Sequence, residues 1–273
     1  MLAKQITIEG SKIFYYIYNQ ELKPTIVAIH GFRGNHKALT PFARAFKNQR
    51  VILLDLPGYG FSEPLNKTHN LKNYAQFLNS FVANLGLKEF FLWGHSFGGS
   101  ICIQYAATFP DRIKNLILVS PAVAGKGVVE TLEADYYKLT SFLPRKYRKI
   151  WVANELLNQL GGNLLLKQVS GNRKKELIHA GAENLKEAKP KVIVESALSY
   201  LRTDLISLSK KIKTRTLIIV GAADIIAPLE RLKAVKNSIQ HSKLIVIPKQ
   251  GHLSPLEEPI YIASLTEEFI RAT

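Results

Sequence analysis

The feature that most constrains this chain is a glycine-rich hexapeptide at 94–99, Gly-His-Ser-Phe-Gly-Gly. An apolar run at 89–93 precedes it, and a helical pattern at 100–109 follows it. A strand that turns abruptly into a helix leaves the residue at the turn in a strained conformation, with its side chain pushed outward. Glycines two positions before and two after Ser96 avoid collisions in such a turn. The pattern predicts that Ser96 is a nucleophile; the alternative is a chance serine in a glycine-rich turn.

A serine hydroxyl is a weak nucleophile at neutral pH and needs a base. His252 follows a strand-like run at 243–248 and the loop residue Gly251, which places it at the carboxyl end of a strand. Ligands and chemistry collect at that end of open parallel sheets. His241 precedes the same strand at the opposite edge, and His179 lies in a basic stretch without a motif. We therefore expect His252 to be the general base, with a structural loop histidine as the alternative.

The acid partner is predicted by the same placement. Residues 214–220 form a β-branched run that is typical of a buried parallel strand. The run leads to Asp224, and Pro228 marks the start of the next helix. Asp224 would accept a hydrogen bond from the histidine and favour the imidazolium that forms during attack. The alternative is a turn aspartate that caps the helix after Pro228.

Two backbone N–H groups are needed to stabilise the negative charge that develops on the substrate oxygen. Phe97 follows the nucleophile at the start of a helix, where the helix dipole also helps. The loop 30–34, after the strand-like run 25–29, supplies a second candidate in Phe32. We expect these two residues to form the oxyanion hole. His30, in the same loop, is predicted to tie loops together and not to carry a proton.

These motifs together resemble the α/β-hydrolase fold, in the capped group that includes small esterases, C–C hydrolases, epoxide hydrolases and haloalkane dehalogenases. The resemblance rests on residues 30–32, 55–62, 94–99, 110–112, 221–224 and 251–252. The order nucleophile, acid, histidine is that of the family. Similar epoxide hydrolases and dehalogenases carry an aspartate where this chain has Ser96, which argues against both activities. Asp55 is expected to be structural.

Alternating strand and helix patterns predict an α/β fold, a mostly parallel twisted sheet with helices on both faces. We expect an N-terminal hairpin and helices at 36–47, 71–85, 100–109, 229–237 and 256–272. Between 121 and 209 the alternation stops, and amphipathic segments follow one another. This predicts a helical cap at 121–209 inserted into a core of 1–120 and 210–273. The alternative is a set of surface helices elsewhere on the sheet.

The charge of the chain is strongly positive, with a formal net charge of +16. Residues 121–215 hold 18 Lys/Arg against 9 Asp/Glu, with clusters at 145–149 and 173–175. A basic cap would attract anionic substrates or, weakly, anionic lipid. General surface charge is the alternative. No recognised nucleic-acid module accompanies the charge, so we expect no nucleic-acid partner.

The remaining composition narrows the chemistry. The single cysteine, Cys102, excludes an internal disulfide framework and a Cys-rich metal site. No His/Asp/Glu cluster has the spacing of metal ligands, so we expect neither a metal nor a cofactor. Residues 1–6 lack a secretory apolar region, and no run approaches the ~20 apolar residues of a transmembrane helix. The expected location is cytoplasmic.

The sequence thus predicts a serine hydrolase with Ser96, His252 and Asp224 as its triad. The leading activity is hydrolysis of a carboxylic ester with a small or medium apolar acyl group. The alternatives are hydrolysis of a C–C bond in a ring-cleavage product, and a ligand receptor that keeps a slow triad. A proline iminopeptidase is disfavoured, because such enzymes need cap carboxylates for the substrate amine and this cap is basic.

Overall fold

A computed structural model describes residues 1–125, 128–142, 147, 166, 169–172, 174–179 and 189–272. The described residues contain one eight-stranded sheet, with the strands in the order β1-β2-β4-β3-β5-β6-β7-β8. The strands are β1 Leu2–Ile8, β2 Ser11–Tyr18, β3 Thr25–Ile29, β4 Arg50–Leu54, β5 Phe91–His95, β6 Asn115–Val119, β7 Thr216–Gly221 and β8 Ser242–Ile247. Strands β3 to β8 run parallel, whereas β2 is antiparallel to β1 and β4. The expected mostly parallel sheet is confirmed.

In addition to a 3₁₀ helix at Pro110–Arg112 and helical residues at 171–172 and 174–179, the described ranges contain nine α-helices with defined bounds. They are α1 His36–Ala45, α2 Leu71–Asn84, α3 Phe97–Thr108, α4 Val128–Ser141, α5 Pro190–Arg202, α6 Leu205–Ser209, α7 Leu229–Ser238, α8 Ser254–Glu257 and α9 Pro259–Arg271. The predicted helix 256–272 is wrong as one element, because Pro259 holds Glu258 out of the helical region and starts a new helix. None of the helices in these ranges is both long and apolar enough to span a lipid bilayer.

The first two strands form the expected hairpin. Glu9 and Gly10 link β1 to β2 and both have positive φ, 49° and 81°. Two residues of that conformation match the twist of the flanking strands, which favours a tight hairpin. The pairing runs from Leu2 opposite Ile17 to Ile8 opposite Ser11.

The sheet is covered on both faces. Along β3, Ile26 and Ala28 pack in a hydrophobic cluster with residues of α1 and α9. Val27 and Ile29, which point to the other face, pack with residues of α2 and α3. Every residue of β3 is buried, as the continuous apolar run predicts for a central parallel strand.

Parallel strands give the sheet two chemically distinct edges, which we call the carboxyl edge and the amino edge. The carboxyl edge consists of the segments that follow β3 to β8, namely 30–35, 55–70, residue 96, 120–125, 222–228 and 248–253. The amino edge consists of the segments that lead into these strands, namely 19–24, 46–50, 85–90, 109–114, 210–215 and 239–243. Every predicted catalytic residue lies at the carboxyl edge.

The region predicted to be a cap is mostly helical where it is described, with non-helical stretches such as 121–125 and 169–170. It contains α4, α5 and α6, and Tyr137 of α4 packs with Ile193, Ala197 and Leu201 of α5. The predicted helix 148–160 lies outside the described residues, as does the basic cluster 145–149 apart from Tyr147. The division into core and cap stays a prediction.

Polar contacts fasten α5 to the start of α2. Nδ1 of His69 donates to Oε2 of Glu195 at 2.7 Å, and Nε2 of His69 accepts from the Leu65 N–H at 3.0 Å. The Leu71 N–H, at the first residue of α2, donates to Oγ of Ser199 at 2.8 Å. Side chains of α5 therefore satisfy N–H groups that a helix start would otherwise leave unpaired.

Candidate active site

Ser96 occupies the sharp turn between β5 and α3. Its backbone has φ 53° and ψ −119°, a conformation that L-residues rarely adopt. The Ser96 N–H donates to the Val119 carbonyl at 3.0 Å, and the Ser96 carbonyl accepts from the Ala122 N–H at 3.0 Å. These bonds hold the strained residue against the end of β6.

The two glycines of the motif allow the elbow to pack closely. A Cβ on Gly98 would overlap the carbonyl oxygen of Ile29 at the end of β3. A Cβ on Gly94 would lie 2.6 Å from the carbonyl oxygen of Gly98. Both obstacles are backbone atoms that cannot rotate away, so the spacing of the glycines is a packing requirement.

The structure brings the three predicted triad residues into one hydrogen-bonded chain. Nε2 of His252 lies 2.8 Å from Oγ of Ser96, and Nδ1 of His252 lies 3.0 Å from both carboxylate oxygens of Asp224. The partners assign the tautomer: Nδ1–H donates to the carboxylate, and Nε2 accepts from the serine hydroxyl. All three residues are buried. This arrangement can remove a proton from the serine as it attacks an electrophile.

Asp224 has a second set of partners. Its Oδ1 accepts from the N–H groups of Ile226 and Ala227, each at 2.9 Å. Burial alone would raise the pKa of Asp224, but the hydrogen bond and charge of His252, with the Ala227 N–H, hold the pKa below its ordinary value. The sequence left two roles open for Asp224, a cap of the helix after Pro228 and a partner of the histidine. In the structure its carboxylate bonds His252 and two loop N–H groups, and it does not cap α7.

His95 is a residue of the site to which the sequence interpretation gave no role. Its Nε2 donates to the His252 carbonyl at 2.9 Å, and the two rings lie 5.3 Å apart. Burial, and then the neighbouring His252 ring, lower the pKa of His95 to about 3. A neutral His95 thus ties the end of β5 to the loop that carries His252. The one sequence feature that could have indicated this role is the position of His95 directly before Ser96.

The two predicted oxyanion donors both lie close to Ser96. Phe97 is the first residue of α3, so its N–H lies among those with no partner inside the helix. Within the described ranges no hydrogen bond engages the N–H of Phe32. A Cβ on the adjacent Gly31 would lie 3.1 Å from Cβ of Ser96, which shows how closely this loop approaches the serine.

Aromatic rings form one wall of the site. The Phe32 ring centroid lies 5.9 Å from that of Phe97, 6.3 Å from Tyr137 of α4 and 6.3 Å from Tyr200 of α5. The Phe97 ring also meets Tyr74 of α2, at 5.7 Å. Helices from the predicted cap therefore contribute rings directly beside the elbow.

Two buried polar residues nearby are structural, as the sequence predicted. Nδ1 of His30 donates to the Gly31 carbonyl at 2.8 Å, and its Nε2 accepts from the Leu56 N–H at 3.1 Å. Asp55 accepts from the His36 N–H at 2.7 Å and from Nδ1 of the same histidine at 2.9 Å. Across the described part of the chain, no three His, Cys, Asp or Glu side chains gather closely enough to hold a metal ion.

The chain belongs to the α/β-hydrolase fold family, whose model matches residues 24–259. It is 24% identical to Lipase 1 of Psychrobacter immobilis, over 93% of this chain and 79% of the lipase. It is 27% identical to the 2-hydroxy-6-oxononadienedioate/2-hydroxy-6-oxononatrienedioate hydrolase of Comamonas testosteroni, over 88% and 82%. The structure of a thermophilic esterase from Thermogutta terrifontis superposes with a TM-score of 0.81 at 23% identity, covering 100% of this chain and 99% of that one. At 23% identity, the similarity to the esterase structure shows a common fold only.

Proposed function

We propose that this hydrolase cleaves carboxylic esters through a covalent acyl-enzyme on Ser96. The observation that carries the proposal is the chain of short hydrogen bonds from Ser96 through His252 to Asp224. A serine becomes a competent nucleophile when a neutral imidazole accepts its proton and a carboxylate stabilises the resulting imidazolium.

The reaction has two mirrored steps. In the first, Nε2 of His252 takes the proton as Oγ of Ser96 attacks the ester carbonyl, and the N–H groups of Phe32 and Phe97 hold the oxyanion. His252 then gives the proton to the departing alcohol. In the second step, His252 takes a proton from water, which attacks the acyl-enzyme, and Ser96 recovers its proton as the acid leaves. Asp224 stays ionised throughout.

The proposed substrate has a small or medium apolar acyl group. The rings of Phe32, Phe97, Tyr137 and Tyr200 support this choice, because they meet beside the elbow and present mostly apolar surface. In this proposal the region 121–209 acts as a cap whose helices shape the acyl pocket. The name of a similar protein, Lipase 1 of Psychrobacter immobilis, is consistent with ester hydrolysis.

The experiment is a panel of p-nitrophenyl esters of increasing chain length, measured with wild type and the Ser96→Ala variant. Ser264→Ala serves as the control, since Ser264 is exposed on α9 and its hydroxyl bonds only locally to Tyr261. We expect repeated turnover that favours short or medium chains, loss of activity in Ser96→Ala and full activity in the control. Undiminished turnover by Ser96→Ala would refute the proposal.

C–C bond hydrolysis is the second candidate, because a similar protein is named for a hydroxy-oxo-dienedioate substrate. The same triad would act on a ketone in place of an ester. Turnover of a ring-cleavage product at a kcat/KM far above that of every ester would favour this activity. A single burst that stops after one equivalent of p-nitrophenol would instead indicate a receptor with a slow triad.

A further inference from the structure

The amino edge concentrates positive charge that the proposed catalysis does not use. Its six segments contain eleven Lys/Arg against three Asp/Glu, a net charge of +8, which is half of the formal charge of the chain. The cations are Lys23, Lys47, Arg50, Lys88, Arg112, Lys114, Lys210, Lys211, Lys213, Arg215 and Lys243. Four of them, at 210–215, belong to the excess that the sequence placed in or beside the cap. In the structure these four residues lie at the amino edge, at the opposite end of the strands from Ser96.

The cations follow the strands. Each parallel strand has a Lys or Arg within three residues of its first residue, which gives, in sheet order, Arg50, Lys23, Lys88, Lys114, Arg215 and Lys243. Neighbouring strands lie about 4.8 Å apart, so this row extends about 24 Å across the edge. Such a row is a continuous strip of charge and not a single binding pocket.

The lysines of the strip are available to a partner. Lys23, Lys88, Lys114, Lys213 and Lys243 are all exposed. In the part of the chain that the structure describes, none of these five forms an ion pair with a carboxylate. Their charge is therefore balanced only by solvent ions, which an anionic partner can displace.

Two grooves open along the strip. One of about 730 Å³ is lined by Lys23, Arg50, Lys88 and Lys114, with Glu89 as its single acid. The other, of about 460 Å³, is lined by basic residues around His241. Grooves of this size and charge can admit phosphate-bearing head groups.

We propose that the amino edge docks this protein on an anionic phospholipid surface. Eight of the eleven cations are lysines. A lysine is a compact charge without a fixed fork of donors, which suits mobile head groups better than phosphates in a rigid array. Two of the arginines already bond inside the protein, Arg50 to the Thr25 hydroxyl and Arg215 to the Phe269 carbonyl.

Single-stranded nucleic acid fits this edge less well than a membrane surface. Proteins that bind single strands combine a basic groove with exposed aromatic rings on which bases stack. The aromatic residues of the amino edge are Phe46, Phe90 and Phe109, and none of them is exposed. Diffuse attraction to an anionic leaflet needs only the charge.

Docking through the amino edge fixes the orientation of the protein. The carboxyl edge, with Ser96, lies at the other ends of the same strands and faces away from the bilayer. A docked molecule therefore takes its substrate from solution and not from the lipid beneath it. This consequence separates the proposed surface from an interfacial lipase, which presents its catalytic edge to the lipid.

Vesicle sedimentation tests the proposal directly. The edge variant carries Lys88, Lys114, Lys213 and Lys243 changed to Gln, and the control variant carries Lys4, Lys12, Lys72 and Lys175 changed to Gln. Both lose four exposed positive charges. The probe is a phosphatidylcholine vesicle with about one-third phosphatidylserine at physiological salt, compared with pure phosphatidylcholine.

We expect wild type to bind only the anionic vesicles. Each lysine near such a leaflet strengthens partitioning about fivefold, so the edge variant, which lacks four of them, should partition about 600-fold more weakly. The control variant should lose much less. Equal losses in both variants would attribute binding to net charge and overturn the proposal. So would absence of wild-type binding, or a duplex oligonucleotide bound in preference to the vesicles.

A second measurement tests the orientation without relying on catalysis. Because the only cysteine, Cys102, is buried, a fluorophore can be attached selectively at Lys114→Cys on the amino edge or at Lys72→Cys near the carboxyl edge. Lipids with a spin-labelled head group should quench the fluorophore at position 114 and spare the one at position 72. The reverse pattern would move the docking surface to the cap end and contradict the proposal.

Discussion

The two edges of the sheet are built from the same six strands, yet they differ in nearly every physical respect. The carboxyl-edge segments hold three Lys/Arg and three Asp/Glu, a net charge of zero, against +8 for the amino edge. Polar groups at the carboxyl edge, such as Ser96, Asp224 and His252, are buried and hydrogen-bonded to one another. Lysines of the amino edge stand in solvent.

This contrast reflects two different uses of charge. Chemistry needs a few polar groups held in fixed positions away from water, where each electrostatic interaction is stronger. Attraction of a large anionic surface needs many mobile charges in contact with solvent, where each contributes little. A parallel sheet provides both environments, because its strand ends face opposite directions.

The largest expected effect is at the carboxyl edge. Ser96→Ala should lower kcat for an ester by about 10⁶-fold, since the proposed nucleophile is absent. The four-lysine edge variant should keep the wild-type kcat/KM on the same ester. Steady-state kinetics of both proteins, side by side, check the separation. A large loss of activity in the edge variant would show that catalysis depends on the amino edge, and would contradict the separate roles of the two edges.

Asp224→Asn should have the next largest effect. Asparagine keeps the size of the side chain but no longer accepts from Nδ1–H of His252 in the same way, which favours the wrong tautomer. We expect kcat to fall about 10³- to 10⁴-fold with little change in the melting temperature. A loss of less than about tenfold would mean that Asp224 serves the turn, through Ile226 and Ala227, and not catalysis.

The buried histidine of the site should make folding sensitive to acid. The unfolded chain binds a proton at His95 near the ordinary pKa of 6.5, whereas the folded protein does so only near about 3. Acid therefore favours unfolding, and stability is lost as the pH falls below about 6.5. Between there and about pH 4.5, His95 should account for about 2 kcal/mol of the free energy of unfolding.

The test is denaturant unfolding across this pH range. His95→Gln should remove the share of the slope that His95 contributes in wild type. An identical slope in wild type and His95→Gln would show that a neutral, buried His95 is not the source of the acid sensitivity.

The smallest effect belongs to the amino edge. Neighbouring like charges repel, so the four-lysine edge variant should be slightly more stable than wild type at low salt, by about 0.5 kcal/mol or less. The difference should vanish at high salt, where surface charges are screened. Thermal unfolding at two salt concentrations measures it. A variant less stable than wild type would mean that these lysines hold the fold together.

Much of the carboxyl edge could be predicted because its residues follow strong local patterns. The tight turn at Ser96 requires glycines that are visible in the sequence. Asp224 and His252 each follow an apolar run that predicts a strand, which places them in the loops at its carboxyl end. The link from His95 to the His252 carbonyl was missed, because His95 belongs to no catalytic pattern and a sequence does not show which carbonyl a buried ring reaches.

The break before Pro259 was missed for a different reason. The apolar periodicity of the sequence continues across Pro259, which hides the helix end that the proline would otherwise indicate. The charge of 210–215 was grouped with that of the cap region, because sequence proximity does not reveal which end of a strand a segment approaches. Only the direction of β7 assigns these residues to the amino edge.

The central claim is that the carboxyl edge performs acyl transfer through Ser96, and peptide mapping of a trapped enzyme tests it most directly. Wild type is treated with a fluorophosphonate, digested and analysed by mass spectrometry for the modified residue. We predict one adduct per chain, on Ser96. An adduct on another serine, or active turnover with no adduct at all, would contradict it.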